Sequence, residues 1–544
     1  MKQYPLYAID YFDTFDAFIE GIDAKFGPRR AVSYFTRKQV EVVHTYHELC
    51  ADVRAIRESL RIRGLVGKHI AIISENSYEW LVAYLAITSS GSVAVCIDAE
   101  QSDETIHQML EMADVENVFV AAPYLSICEE VLNREHIISF DEQSGEEGYL
   151  TYAAMMAEGY GAEMGTYAID KNQTAAIVFT SGTSSKAKPV MLTHLNILHN
   201  ASDAMAFVNT QDKIFTQLPF YHTYGMTCGV LSTLVRGSEA IINGNLRTAM
   251  RDMLLSKADT IMTVPLMLEA ICNQIWLNAE KQGKDQDLRK AMDLVTKLRK
   301  LGIRPKIQAL EEIREKAFGS IRLVIAGGAA VGNEIEKQLE CLGLTVLQGY
   351  GITECSPLVA VNRNKYKRFG SVGPILPSFE SKVVDGEIWL KGTSLMAGYY
   401  KSPELNAEVM EDGWFKTGDI GHVDSKGFLF ITGRKKNLIV FKNGKKVAPE
   451  KMEELIMTIP LVKEVMVYGA ASGHSADDIK LAATIYPDPE RTAGKSSYEV
   501  LAELQTAIDA INAKLPFYQH IHMINTRTHP FDKTGTKKIK RHSM

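Results

Sequence analysis

At 544 residues, with 46% hydrophobic and 23% charged side chains, the chain carries apolar surface for several packed cores and exceeds one ordinary domain. A formal net charge of −6 argues against a general nucleic-acid binder, whose surface would carry a basic excess, and points to small molecules or proteins as partners. Seven cysteines stand singly, with no CxxC pair, which fits a reducing compartment and offers no structural zinc set.

The N-terminal stretch "MKQYPLYAIDYFDTFDAF" has acids and no apolar h-region, so no signal peptide is expected. Apolar stretches such as "WLVAYLAI" end well short of the roughly 20 residues that span a bilayer. The expectation is a cytoplasmic protein without integral membrane association. From Lys68 the pattern alternates: "KHIAIIS" reads as a strand, "SYEWLVAYLAI" as a helix, "SVAVCID" as a strand, "DETIHQMLEMAD" as a helix and "NVFVAA" as a strand. In the second helix Ile106, Met109, Leu110 and Ala113 recur at the spacing of one apolar face. Strand–helix alternation predicts a largely parallel sheet covered by helices.

"AAIVFT" reads as a buried strand and "THLNILHNA" as the start of a helix capped by Thr193. Between them, Thr180, Ser181, Gly182, Thr183, Ser184 and Ser185 offer hydroxyl and backbone donors to phosphate oxygens, and Lys186 and Lys188 offer charge. The loop lacks the glycine and lysine spacing of a P-loop. Taken alone, it reads as a solvated Ser/Thr linker. Residues 266–318 read as helices. "IRLVIAGG" predicts a strand, followed by a helix that Asn333 caps, with Glu336 three residues on and Gly343 at its end. After Gly370, short strands with Gly, Pro and Asp-Gly turns predict a small β subdomain. From "GRKKN" onward a helix begun by Pro449, two short strands, a helix near Tyr498–Lys514 and a basic tail predict a compact α+β unit. Neither "GGAAVG" nor "GYGITE" matches G-x-G-x-x-G, and the G-x-S-x-G and H-E-x-x-H motifs are absent, so dinucleotide, serine-hydrolase and zinc-protease readings fall away.

In chain order stand "TSGTSSKAKPVMLTH", "LPFYHTYGM", "GGAAV", "QGYGITECSP", "GWFKTGDIG", "GRKKN" and "KTGTKKIKR". This series resembles the adenylate-forming superfamily of acyl-CoA synthetases, peptide adenylation domains and luciferases, over nearly the whole chain. The resemblance implies an α/β fold, with a large N-terminal domain of mostly parallel, helix-covered sheets plus a β subdomain over 1–435. A small, mobile α+β C-terminal domain follows over 436–544. It implies that a carboxylate attacks the α-phosphate of ATP to give an acyl-adenylate, which a thiol then converts to a thioester. Both steps bring anions together, so they call for positioning and positive charge.

By the same resemblance Tyr350 and Gly351 lie against the nucleotide, Thr353 near the α-phosphate, and Glu354, with Thr183, on Mg²⁺. Thr180, Ser181, Gly182 and Lys188 belong to the phosphate loop. Asp419 takes the ribose hydroxyls, Arg434 makes a second nucleotide contact and Lys436 occupies the hinge. His222 stands at the mouth of an acyl pocket walled by Gly327, Gly328 and Ala329. The catalytic lysine maps to Lys538, whereas Lys533 and Lys540 read as solvated tail.

Among the branches, "LPFYHTYGM" and "LKGTSLMAGYYKSPE" look most like medium- to long-chain fatty acyl-CoA synthetases. ATP, Mg²⁺ and coenzyme A are the implied cofactors and co-substrate; a carrier-protein phosphopantetheine is the alternative acceptor. The basic cluster Arg434, Lys435, Lys436, Lys442, Lys445 and Lys446 suits either one. The family's loop commonly reads "SGTTGKPKG", and Ser185 and Pro189 depart from its glycines. That departure motivates a second alternative, a disabled scaffold homologue. The retained charged and hydroxyl residues favour an active ligase.

Overall fold

The computed structural model describes residues 5–180, 187–303, 305–441, 445–471, 479–533, 539 and 541. By compactness the chain divides into two units, one of Met1–Glu380, Lys391–Phe415 and Ser425–Phe428, the other of Ser381–Leu390, Lys416–Asp424 and Leu429–Met544.

In the first unit, strands β1 (His69–Ile73), β2 (Val93–Cys96) and β3 (Asn117–Val120) alternate with helices α1 (Tyr78–Ser89) and α2 (Asp103–Met112). The three strands pair in parallel, β2 and β3 flanking β1. Their runs of Val, Ile and Ala are buried on both faces, as strands covered by helices must be. Helix α1 starts where the Ser77 hydroxyl accepts the Trp80 N–H, and it is buried all round. Each fully buried large aliphatic side chain there contributes about 1.5–3 kcal/mol. In α2, Ile106, Met109, Leu110 and Ala113 are the buried stripe that their spacing predicts.

Strand β4 (Thr174–Thr180) joins β2 in parallel. The sequence reading then expects a loop leading straight to a helix; instead, β5 (Lys188–Thr193) intervenes and pairs antiparallel with β4, placing Lys188 opposite Thr180 and Pro189 opposite Phe179. Lys188 and Pro189 are therefore strand residues. A proline near a strand start forfeits a single ladder donor, and the Pro189 carbonyl still accepts the Tyr400 N–H at 2.8 Å. Helix α3 (His194–Phe207) follows, with Thr193 and Asn196 closing a capping box.

The second sheet of this unit contains β6 (Lys213–Thr216), β7 (Glu239–Ile242), β8 (Thr260–Thr263), β9 (Leu323–Ala326), β10 (Thr345–Gly351) and β11 (Leu358–Val361), in the order β11-β10-β9-β8-β6-β7. All pair in parallel except β10 with β11. Residues 266–318 are helical as expected: α4 (Pro265–Lys281), α5 (Asp285–Lys300) and α6 (Gln308–Phe318) pack Leu268, Leu288, Val295, Leu310 and Phe318 into one core with Val324. Helix α7 (Asn333–Cys341) corrects another expectation. Gly332, not Asn333, is its N-cap. The Glu336 carboxylate, three residues on, accepts instead from Gln348 of β10 at 2.7 Å. Gly343 closes that helix with φ +88°, as predicted. The two-residue strand β12 (Gly398–Tyr399) adds antiparallel to β5, with Tyr399 opposite Val190.

The second unit contains most of the hairpin of β13 (Trp414–Val423) and β14 (Phe428–Arg434), from Lys416 on the first strand and Leu429 on the second. Helix α8 (Pro449–Ile456) starts on its proline as expected. The two short strands expected after it are the ten-residue β15 (Val462–Ala471) and the nine-residue β16 (Ile479–Pro487). After α9 (Ser497–Asn512), a third strand, β17 (Ile521–Thr526), pairs parallel to β16. Met452, Val465, Leu481, Val500, Leu504 and Ile521 make this unit's core. Lys533 is not solvated tail: its ammonium meets Glu464 at 2.5 Å. Lys540 lies outside the described residues.

Candidate active site

The residues expected at the phosphates lie in the first unit. Strand β4 ends on the half-buried Thr180, and β5 begins on the half-buried Lys188 directly opposite it. Ser181, Gly182, Thr183, Ser184, Ser185 and Lys186 lie outside the described residues. On α3, downstream of this hairpin, the fully buried Asn200 donates to the carbonyls of Cys355 and Leu358 at 3.2 and 2.8 Å and accepts the Leu358 N–H at 2.9 Å. One amide thus fixes the turn that carries Thr353 and Glu354. That turn, Thr353–Cys355, follows directly from Tyr350 and Gly351 at the end of β10. A Cβ on Gly351 would stand 2.4 Å from the Pro357 carbonyl oxygen, so only glycine lets the chain double back there.

Tyr399 connects the two charged residues of this region. Its hydroxyl donates to Glu354 Oε1 at 2.8 Å, and the Lys188 ammonium lies 5.2 Å from its ring centroid, within cation–π range. Tyr399 is 2% exposed. Burial, with the Glu354 carboxylate beside it, pushes its hydroxyl far above the usual range, so it acts as a donor. Among the described residues, neither Lys188 nor Glu354 makes a salt bridge.

"GGAAV" follows β9. Gly327 is buried, and a Cβ there would stand 3.0 Å from the Tyr224 ring. Tyr224 donates to the Thr263 and Ile325 carbonyls, each at 3.2 Å. Gly328 has φ +82°, and Gly328 and Ala329 are exposed. Gln348 ties this loop to the next motif: its Oε1 accepts the Val331 N–H at 3.1 Å while its Nε2 donates to Glu336. Burial raises the Glu336 carboxyl above its ordinary range. Half-buried His222 precedes a π-helix, Tyr224–Leu231, and its carbonyl accepts the Met226 N–H at 3.0 Å. A small cavity of about 10 Å³, room for a single water, is lined here by Tyr84, Val178, Phe220 and Met226; His222, Gly327, Gly328 and Ala329 do not line it.

Of the residues expected at the nucleoside, Tyr350 and Gly351 lie in the first unit, and Asp419 and Arg434 lie in the second. Asp419 and Arg434 face each other in the β13–β14 register, and Arg434 Nε meets Asp419 Oδ1 at 2.7 Å. Asp419 is 2% exposed. Glu387, also buried, accepts the Gly418 N–H at 3.0 Å and the Lys435 ammonium at 2.8 Å, so it fixes the turn before Asp419 and the residue after Arg434. Lys436 is exposed in the one-turn helix Lys435–Asn437. Lys538 and Lys442 lie outside the described residues.

Tyr399, Asn200, Gln348 and Glu387 are absent from the sequence-derived site. Tyr399 sits inside the quoted "LKGTSLMAGYYKSPE", Gln348 begins the quoted "QGYGITECSP", and an Asn within an apolar helix signals a buried hydrogen-bonding task, so three of the four left a trace.

Residues 22–400 match the family of AMP-binding enzymes, and residues 436–544 match the C-terminal domain of AMP-binding enzymes. A long-chain-fatty-acid–CoA ligase of Mycobacterium bovis is 26% identical over 543 residues, covering 91% of this chain and 89% of that protein. A chloroplastic long-chain-fatty-acid–[acyl-carrier-protein] ligase of Arabidopsis thaliana is 26% identical over 558 residues, covering 85% and 75%. The crystal structure of the anthranilate–CoA ligase AuaEII in complex with anthranoyl-AMP superposes with a TM-score of 0.79 at 19% identity, over 98% of this chain and 96% of that one, which establishes the fold. The chain belongs to the family of AMP-binding enzymes.

Proposed function

We propose that this enzyme activates a medium- or long-chain fatty acid with ATP, through an acyl-adenylate, to the CoA thioester. The observation that carries the reading is the convergence on Tyr399 of a cation, Lys188, and a carboxylate, Glu354, from distant motifs. An anionic acid attacking an anionic phosphate needs positive charge held in place, and Lys188 at the mouth of the loop supplies it. Glu354 suits Mg²⁺ carried in with ATP, since that ion commonly takes one or two carboxylates and fills its remaining positions with phosphate and water. No cluster of three or more His, Cys, Asp or Glu among the described residues offers an all-protein cage. When bound, the ion neutralises phosphate charge.

In this reading Tyr350 and Gly351 flank the adenine, Thr353 binds near the α-phosphate and Asp419, oriented by Arg434, accepts the ribose hydroxyls. Thr180 with Ser181, Gly182 and Thr183 wraps the phosphates, and His222, Gly327, Gly328 and Ala329 border the acyl chain. Lys538 stabilises the adenylating transition state, and Lys436 is the hinge at the boundary between 1–435 and 436–544. The fatty acid is supported by the name of the Mycobacterium bovis relative.

A second reading exchanges CoA for the phosphopantetheine arm of a carrier protein, and the Arabidopsis thaliana relative favours it. Fatty-acid-dependent ATP–pyrophosphate exchange, across saturated acids of increasing length, tests the first half-reaction. Thioester formation with CoA and with a holo-acyl-carrier protein then separates the acceptors. Exchange with none of the acids would overturn the proposal.

A further inference from the structure

We propose that Tyr399 is a positioning residue for the adenylation half-reaction: its hydroxyl occupies one oxygen of Glu354 and turns the other toward Mg²⁺, while its ring face carries the Lys188 ammonium. The inference rests on the ligase reading and adds a residue to it.

Tyr399 is anchored as a fixed platform. Its backbone pairs with Val190 on β5, the strand that Lys188 begins, so the ring and the lysine share one rigid ladder. Its N–H donates to Asn406 Oδ1 at 2.7 Å, and the Asn406 amide donates back to its carbonyl at 3.3 Å. The preceding Gly398 has φ +138°, and a Cβ there would stand 3.0 Å from the Asn406 side chain, so the approach to Tyr399 is set by a glycine. Glu354 is held from its other end as well, since its carbonyl accepts the Met396 N–H at 2.9 Å. A carboxylate has two oxygens, and a phenol bonded to one fixes the direction of the second; groups that orient metal ligands in this way commonly change metal affinity when removed. The ring meanwhile keeps Lys188 and Glu354 from closing on each other as a bare ion pair, leaving both charges for ATP.

Two variants separate the two faces. Tyr399→Phe removes the hydroxyl and keeps the ring, so the Mg²⁺ concentration that half-saturates ATP–pyrophosphate exchange should rise about tenfold. Turnover at saturating Mg²⁺ should stay within about twofold. The same variant should weaken Mn²⁺ binding in the presence of ATP, read by electron paramagnetic resonance without turnover. Tyr399→Leu loses both faces and should raise the Michaelis constant for ATP in addition; should it fail to fold, the phenylalanine variant still decides. An unchanged or lowered metal requirement in Tyr399→Phe, with native exchange intact, would overturn the proposal. Absence of exchange in the native protein would instead overturn the ligase reading beneath it.

Discussion

The two units use charge in opposite ways. In the first unit, Lys188 and Glu354 are separated by the neutral ring of Tyr399, and both remain half-buried. In the second, Asp419 and Glu387 are buried carboxylates bonded directly to Arg434 and Lys435. In the proposed reading Lys188 and Glu354 receive phosphate, which brings large charge of its own, so they work best uncommitted, held in place by uncharged neighbours. In the same reading Asp419 meets ribose hydroxyls, so it can be neutralised and fixed in advance by a guanidinium without losing its acceptor oxygens.

The largest test of that contrast removes the cation from the second unit. Arg434→Met leaves the Asp419 carboxylate buried without this partner; the guanidinium is 39% exposed, so the cost is about 2.5 kcal/mol, below that of a fully buried pair. The Michaelis constant for ATP in pyrophosphate exchange should rise roughly fiftyfold, and the melting temperature should fall with it. An unchanged melting temperature would show that the pair is not pre-set by the fold.

Lys188→Met should cost about 2 kcal/mol, roughly thirtyfold in the same Michaelis constant, because a charge-assisted bond to phosphate is lost. Here the melting temperature should hold, since among the described residues the lysine is not paired against a carboxylate; a large drop would erase the distinction between the two units.

The pH response should also differ between the units. His194, which begins α3 after β5, accepts the Phe15 N–H, and burial lowers its pKa from the ordinary 6.5 to about 4. Between those values the unfolded chain binds a proton that the fold refuses, so stability falls on acidification, by about 1.5 kcal/mol from pH 6.5 to 5. In the second unit burial raises the Glu453 carboxyl above its ordinary value, against the opposing pull of Arg541, so that unit gains relative stability as pH falls toward the ordinary glutamate range. Melting curves of His194→Gln should show a flatter decline below pH 6.5, and those of Glu453→Gln a steeper one. Parallel curves would refute the assignment.

Glu387→Gln should have the smallest effect. The amide keeps the acceptor for Gly418, and Lys435 is 60% exposed, so the lost ion pair is worth less than about 1 kcal/mol. A rise beyond about fivefold in the Michaelis constant for ATP would mean that Glu387 acts on the nucleotide through its charge.

The sequence by itself determined the alternating parallel layers, the helices of residues 266–318, the Thr193 cap and the Pro449 start, because each depends on residues within one or two turns of one another. It also placed Asp419 and Arg434 in neighbouring motifs, which the structure pairs across one hairpin. Only the tertiary structure decided that "KPVMLT" is a strand: a short run led by lysine and proline reads as loop until β4 and the two-residue β12 supply its hydrogen-bond partners. Likewise the helix after β9 is capped at Gly332 rather than Asn333, and Gln348 of β10 binds Glu336. Tyr399, Asn200, Gln348 and Glu387 carry no local signature sufficient to assign their roles, since a side chain that holds another in place is defined by its partner, and only folding brings those partners within hydrogen-bond reach.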